Sequence, residues 1–184
     1  MSRDLVLLAD AADFAARRHV AQRRKGEAAE PYVNHLTEVA ALLAGATDGV
    51  DIVLLLGGLL HDTLEDTDTT YEDLAERFGP EVAALVAEVT DDKSLPKEMR
   101  KRLQIEKTPA KSRRAKLLKL ADKTSNLRGL VRSPPAGWSR ERLRDYVGWA
   151  EAVVASCRGL NATLEIAFDA AHAEARAHYG SGEN

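Results

Sequence analysis

In Leu59-Leu60-His61-Asp62-Thr63-Leu64-Glu65-Asp66-Thr67-Asp68 an apolar run stops abruptly at a histidine and four carboxylates. The nine residues before His61, Ile52 to Leu60, carry no charge. Read as one helix from about Val50 to Glu65, the segment stacks Asp62, Glu65 and Asp66 at i, i+3 and i+4 on a single face, where they repel one another. An uncharged helix delivers such a cluster to an interior cleft rather than to open water, and there it needs a cation. The His61-Asp62 pair offers one imidazole and one carboxylate, ligands suited to manganese, iron or zinc, and leaves Glu65 and Asp66 to handle a proton. A lone His-Asp dipeptide also fits a solvated acidic helix end, so the rest of the chain decides between the two.

At 184 residues the chain fits one domain, read over residues 1–184 with 179–184 as a frayed tail. The single Cys157 excludes an internal disulfide framework and a thiolate metal site, which leaves nitrogen and oxygen ligands and points to a reducing, cytoplasmic setting. No apolar run approaches the roughly 20 residues of a membrane span. A net charge of −3 argues against a nucleic-acid polymer as partner. The local basic blocks Arg17 to Lys25 and Lys93 to Lys119 instead suit a small anionic ligand.

Helical spacing recurs along the whole chain. Leu5, Leu8, Ala12 and Ala15 predict a first helix over Asp4 to Arg24 with Ser2 as N-cap, and Leu36, Val39, Ala40 and Leu43 a second over Tyr32 to Ala44 that carries His35 in its opening turn. Thr69-x-x-Glu72 reads as a capping box for a short helix ending at Gly79, and Pro80 starts the next, with Val82, Leu85, Val86 and Val89 inside. A polar loop, Thr90 to Pro96, precedes a basic helix over Lys97 to Lys107. Ala115 to Leu127 then embeds Asp122 among leucines, Ser139-x-x-Arg142 opens another helix, and Asn161 begins an alanine-rich last one. Sustained alternation is absent, so the class is all-α, a single bundle of roughly eight to ten helices.

His35, His61, Asp62 and Asp122 thus stand at helix ends or in apolar helices, too far apart for a local finger but suited to a metal site assembled from several helices of a bundle. Their H…HD…D order resembles the HD-domain phosphohydrolases. The words Pro31-Tyr32-Val33-Asn34-His35, Leu60-His61-Asp62-Thr63-Leu64-Glu65-Asp66-Thr67, Val89-Thr90-Asp91-Asp92-Lys93 and Lys119-Leu120-Ala121-Asp122-Lys123-Thr124-Ser125-Asn126-Leu127-Arg128 are similar to the hydrolase half of RelA/SpoT proteins and to its stand-alone form, the small alarmone hydrolases. The resemblance runs from about Ala9 to Tyr179. It implies a manganese-dependent enzyme, other divalent metals being compatible, that removes the 3′-pyrophosphate of guanosine tetraphosphate or pentaphosphate (ppGpp, pppGpp), with no synthetase half alongside.

Carried over residue by residue, the resemblance makes His35, His61, Asp62 and Asp122 metal ligands, and Glu65 and Asp66 the groups that orient and deprotonate a water. It assigns Arg24 to the guanine face and Lys25 to phosphate. Asn126, one helical turn after Asp122, reaches ribose or base, while Lys97, Arg142 and Tyr146, with Lys93 and Lys101, close over the pyrophosphates. Trp138 and Trp149 read as packing residues, His19, His172 and His178 as ordinary surface or interface histidines, and Asp68 as a loop residue without assigned chemistry. Leu36, the Lys123-Thr124-Ser125 run and the Gly26 to Glu30 link depart from the family pattern and bear on pocket shape. A phosphatase for the 2′-phosphate of NADPH or another nucleotide remains the alternative chemistry, and an inactive nucleotide-sensing module the alternative class. The assembly, homo-oligomer or monomer, stays open.

Overall fold

The computed structural model describes residues 3–180. Ser2 and residues 181–184, the expected first N-cap and most of the expected frayed tail, lie outside the described residues. In chain order the helices are α1 (Arg3–Arg18), α2 (Val33–Thr47), α3 (Ile52–Leu60), α4 (Thr63–Asp66), α5 (Tyr71–Phe78), α6 (Pro80–Val89), α7 (Lys97–Lys107), α8 (Arg113–Arg132), α9 (Arg140–Val154) and α10 (Ala162–Tyr179). No strand forms among the described residues, which confirms the all-α class; Arg23 bridges to Pro31 and Gly26 to Pro135 singly.

The uncharged α3 is buried along seven of its nine residues, each leucine there contributing about 2 kcal/mol. Asp51 caps it, accepting the Leu54 amide at 3.1 Å and the Arg114 guanidinium at 2.8 Å. Glycines let its neighbours close in. A Cβ on Gly58 would stand 3.2 Å from the Ala40 Cα of α2, and one on Gly57 2.6 Å from a Leu85 methyl of α6. The other axis is α8, longer than expected, which packs against α2, α9 and α10 and buries Leu117, Leu118, Leu120, Asp122 and Leu127.

Val50 to Glu65 is not one helix. The His61 ring hydrogen-bonds the Gly58 carbonyl at 2.9 Å and the Thr63 hydroxyl donates to the Leu60 carbonyl at 2.6 Å, so side chains capture acceptors that would have carried the helix onward. The chain turns at His61-Asp62 and restarts as α4, with the Asp66 amide donating to the Asp62 carbonyl. Other boundaries shift less. The first helix stops at Arg18, and the capping box is Thr70 with Asp73 rather than Thr69 with Glu72, because Asp73 is the residue whose side chain returns to the cap amide. Tyr179, expected in the frayed tail, ends α10 with its hydroxyl donating to the Leu130 carbonyl at 2.7 Å.

Candidate active site

Three helices meet at a small chamber of about 130 Å³ lined by His35, His61, Asp62, Glu65, Asp91, Asp122 and Asn126. His35 projects from the first turn of α2, His61 and Asp62 from the break after α3, and Asp122 from the middle of α8. Ligand atoms of His35, His61 and Asp62 all lie within 4.8 Å of one another. Asp122 Oδ1 joins them, 3.3 Å from His35 Nε2 and 3.9 Å from His61 Nε2. Because the His61 Nδ1–H goes to Gly58, its Nε2 is the nitrogen left for a metal or a proton, and that buried atom has no hydrogen-bond partner, with Asp62 Oδ2 at 3.2 Å. Two imidazoles and two carboxylates, with one orphaned nitrogen aimed into the chamber, form a donor set that fits a divalent cation.

The electrostatics show the same demand. Burial opposes the His61 cation, yet Asp62 and Asp122 outweigh it and push its pKa up to about 9. Burial prevails at His35, whose pKa falls. Burial likewise opposes ionisation of Asp62 and Asp122, but His61 and Lys123 respectively hold each below the usual carboxylate range. Tyr32 donates its hydroxyl to Asp62 Oδ2 at 2.6 Å, and Lys123 pairs with Asp122 Oδ2 at 2.9 Å beneath the Trp149 ring.

Asp62, Glu65 and Asp66 stay within one helical turn beyond the break, the Asp66 amide donating to the Asp62 carbonyl, and each carboxylate has its own partners. Glu65 accepts the Asp91 amide at 3.1 Å and sits 3.6 Å from Arg100; burial, then the charges of Asp62 and Asp91, raise its pKa. Asp66 accepts from Gln22 at 2.9 Å and pairs with Lys93, which therefore faces a carboxylate rather than standing among unpaired cations.

Tyr32 and Asn126 separate the chamber from a larger cleft of about 260 Å³, lined by Arg24, Lys25, Asp66, Gly129, Trp138 and Tyr146 among others. Arg24 lies over the Tyr32 ring and donates to Asn126 Oδ1 at 2.8 Å, while Asn126 Nδ2 donates to Asp122 Oδ1 at 2.5 Å. Arg142 lies 4.1 Å over Trp138, and Lys97 5.7 Å from the same ring. Burial and the nearby charges of Arg142, Lys101 and Lys25 lower the Lys97 pKa, the signature of cations gathered where an anion would relieve them. Arg24, Lys25, Asn126 and Tyr146 line this cleft, Lys97 and Arg142 stand against its Trp138, and Lys93 against its Asp66.

The HD domain family matches residues 11–147, well over half of the chain. The chain belongs to the HD-domain family. A human protein, guanosine-3′,5′-bis(diphosphate) 3′-pyrophosphohydrolase MESH1, is 52% identical over 165 residues, covering 90% of this chain and 92% of that protein; its Xenopus tropicalis counterpart is 50% identical over the same shares. A solved structure described as a metazoan ortholog of SpoT that hydrolyzes ppGpp and plays a role in starvation responses superposes with a TM-score of 0.87 at 47% identity, over 93% of this chain and 94% of that one.

Several residues of this HD domain acquire roles that its sequence did not announce. Trp138, read as packing, is the platform for Arg142 and Lys97. His19, read as a surface residue, is buried, stacks on Tyr32 and hydrogen-bonds Gln22 at 2.5 Å, so it backs the residue that holds Asp66. His172 is buried against Phe168, whereas His178 is exposed as expected. Asp68 pairs with Arg18 at 2.7 Å. Only Tyr32 carried a signal, its place in the Pro31 to His35 word.

Proposed function

We propose that this HD domain, one domain over residues 1–184, hydrolyses the 3′-pyrophosphate of guanosine tetraphosphate or pentaphosphate, giving GDP or GTP and pyrophosphate, with manganese as its metal and the cytoplasm as its setting. No helix among the described residues is long and apolar enough to cross a membrane. The observation that carries the reading is the donor set of His35, His61, Asp62 and Asp122, with its orphaned His61 Nε2, opening beside a cation-rimmed cleft in a chain half identical to named 3′-pyrophosphohydrolases. The complete donor set counts against a purely sensing module.

His35, His61, Asp62 and Asp122 would hold the cation. When bound, it supplies Lewis acidity, drawing electron density from a phosphoryl oxygen and lowering the pKa of a water. The protein's groups do the rest. Tyr32 fixes the Asp62 carboxylate by its 2.6 Å hydrogen bond. Glu65, its proton affinity raised by burial and neighbouring charge, takes the proton of the attacking water, and Asp66, held by Gln22 and Lys93, orients it. Arg24, steadied by Asn126, offers its guanidinium plane to the guanine, and Lys25, Lys97 and Arg142 offset the phosphate charges.

The test incubates manganese-loaded protein with guanosine tetraphosphate, NADPH and ordinary nucleotides and follows pyrophosphate and orthophosphate separately. Pyrophosphate from the first substrate alone is the expected result. Orthophosphate from NADPH alone moves the chemistry to the 2′-phosphate, and no hydrolysis of any substrate refutes an enzyme.

A further inference from the structure

His35 is gripped through its second nitrogen by side chains rather than by backbone. Its Nδ1 lies 2.9 Å from Ser125 Oγ, and the Ser125 hydroxyl donates to Glu38 Oε2 at 2.8 Å. A serine has one hydrogen to give. With that hydrogen on Glu38, Ser125 Oγ can only accept from the ring, so His35 Nδ1 carries the proton and Nε2 keeps its lone pair toward Asp62 and Asp122. Glu38 is itself fixed by Arg128 at 3.3 Å and Arg132 at 3.0 Å. His61 obtains the same tautomer from the Gly58 carbonyl, which the fold supplies whatever the side chains are. At His35 the tautomer hangs on two side chains.

We propose that Ser125 and Glu38 are positioning residues that lock His35 as the Nδ1–H tautomer and thereby set the affinity of the site for its divalent cation. This rests on the metal reading above. The alternative, that Glu38 merely ties α2 to α8 through its arginines, does not account for Ser125, which is 1% exposed and joins the carboxylate to a buried imidazole. The ion pairs to Arg128 and Arg132 are partly exposed, and such pairs are worth about 1 kcal/mol or less.

The experiment titrates manganese into metal-stripped protein by calorimetry, for the full chain as wild type, Ser125→Ala, Glu38→Gln and Arg132→Ala, with the thermal midpoint of each. Losing the hydrogen-bond partner behind a metal-bound histidine weakens binding by about 10- to 100-fold, and that is expected for Ser125→Ala. Glu38→Gln, whose carboxamide can donate to Ser125 and turn its hydroxyl toward Nδ1, should also bind more weakly and carries the test should Ser125→Ala lose its fold. Arg132→Ala, which leaves Arg128 holding Glu38, should lower the midpoint slightly and weaken metal binding far less than either relay variant. Nitrogen-15 spectra of the apo protein should report a pure Nδ1–H tautomer for His35 in the wild type and a mixture in Ser125→Ala. Equal manganese affinity in the wild type and both relay variants overturns this inference alone; absence of binding by the wild type overturns the metal reading with it.

Discussion

Replacing Gly129 with alanine should impair the protein while leaving its stability nearly unchanged. Gly129 lies inside α8, where alanine is worth about 1 kcal/mol more than glycine, equivalent to roughly 2–4 °C in the midpoint of a domain this size. The one neighbour a Cβ would meet is Arg24 Nη2, at 3.1 Å. Ordinary contact needs about 3.5 Å, so the guanidinium must retreat by about 0.4 Å. Its bond to Asn126 Oδ1 starts at 2.8 Å, and such a shift carries it to the edge of hydrogen-bond range. A hydrogen bond to a charged group is worth about 1.5 kcal/mol, so losing about half of it should offset most of the helix gain and lower kcat/KM about three- to fourfold, chiefly through KM because Arg24 binds rather than reacts. Urea denaturation and steady-state pyrophosphate release measure the two halves. A kcat/KM within about twofold of wild type would show that Arg24 does not touch the substrate, and a lowered midpoint would show that α8, not the side chain, absorbs the methyl.

Asp62→Ala should abolish manganese binding in calorimetry, whereas Glu65→Ala should keep the metal and lose about 10²- to 10⁴-fold in turnover; equal metal loss in both would refute that division of labour. Trp138→Ala should raise KM several-fold, because Arg142 loses the ring 4.1 Å beneath it, a contact worth about 1 kcal/mol; an unchanged KM would return Trp138 to packing. At Asp51 burial opposes ionisation, but Arg114 and the Leu54 amide outweigh it and lower the pKa. A depressed carboxylate stabilises above its unfolded value near about 3.9 and loses that contribution as pH falls through the folded value. Asp51→Ala should therefore cost about 1 kcal/mol in urea melts at pH 7, a gap that shrinks in strongly acidic buffer; a gap independent of pH would assign the effect to packing.

The helices were legible wherever one residue punctuates an apolar period. Pro80 opens α6, Asn161 caps α10, and the basic run at Lys97 begins α7 as read. That His61 and Asp62 meet His35 and Asp122 was legible because an unsupported carboxylate cluster at the end of an uncharged helix is costly enough to demand explanation. The break at His61-Asp62 was not, since it depends on a ring and a hydroxyl turning back onto carbonyls three residues away, against an apolar pattern that runs straight through. Contacts such as Tyr32 with Asp62 or Arg24 with Asn126 join distant segments and leave no local trace. His19 looked like a surface residue because what buries it, the Tyr32 ring and Gln22, depends on how the chain folds back after α1.

Titrating manganese into metal-stripped protein while following pyrophosphate released from guanosine tetraphosphate tests the proposed chemistry with fewest intervening steps. Turnover should be absent at the start, rise linearly to one equivalent and then level off, with no orthophosphate. Undiminished turnover by the metal-stripped protein, or orthophosphate as the product, would contradict a single metal centre built from His35, His61, Asp62 and Asp122.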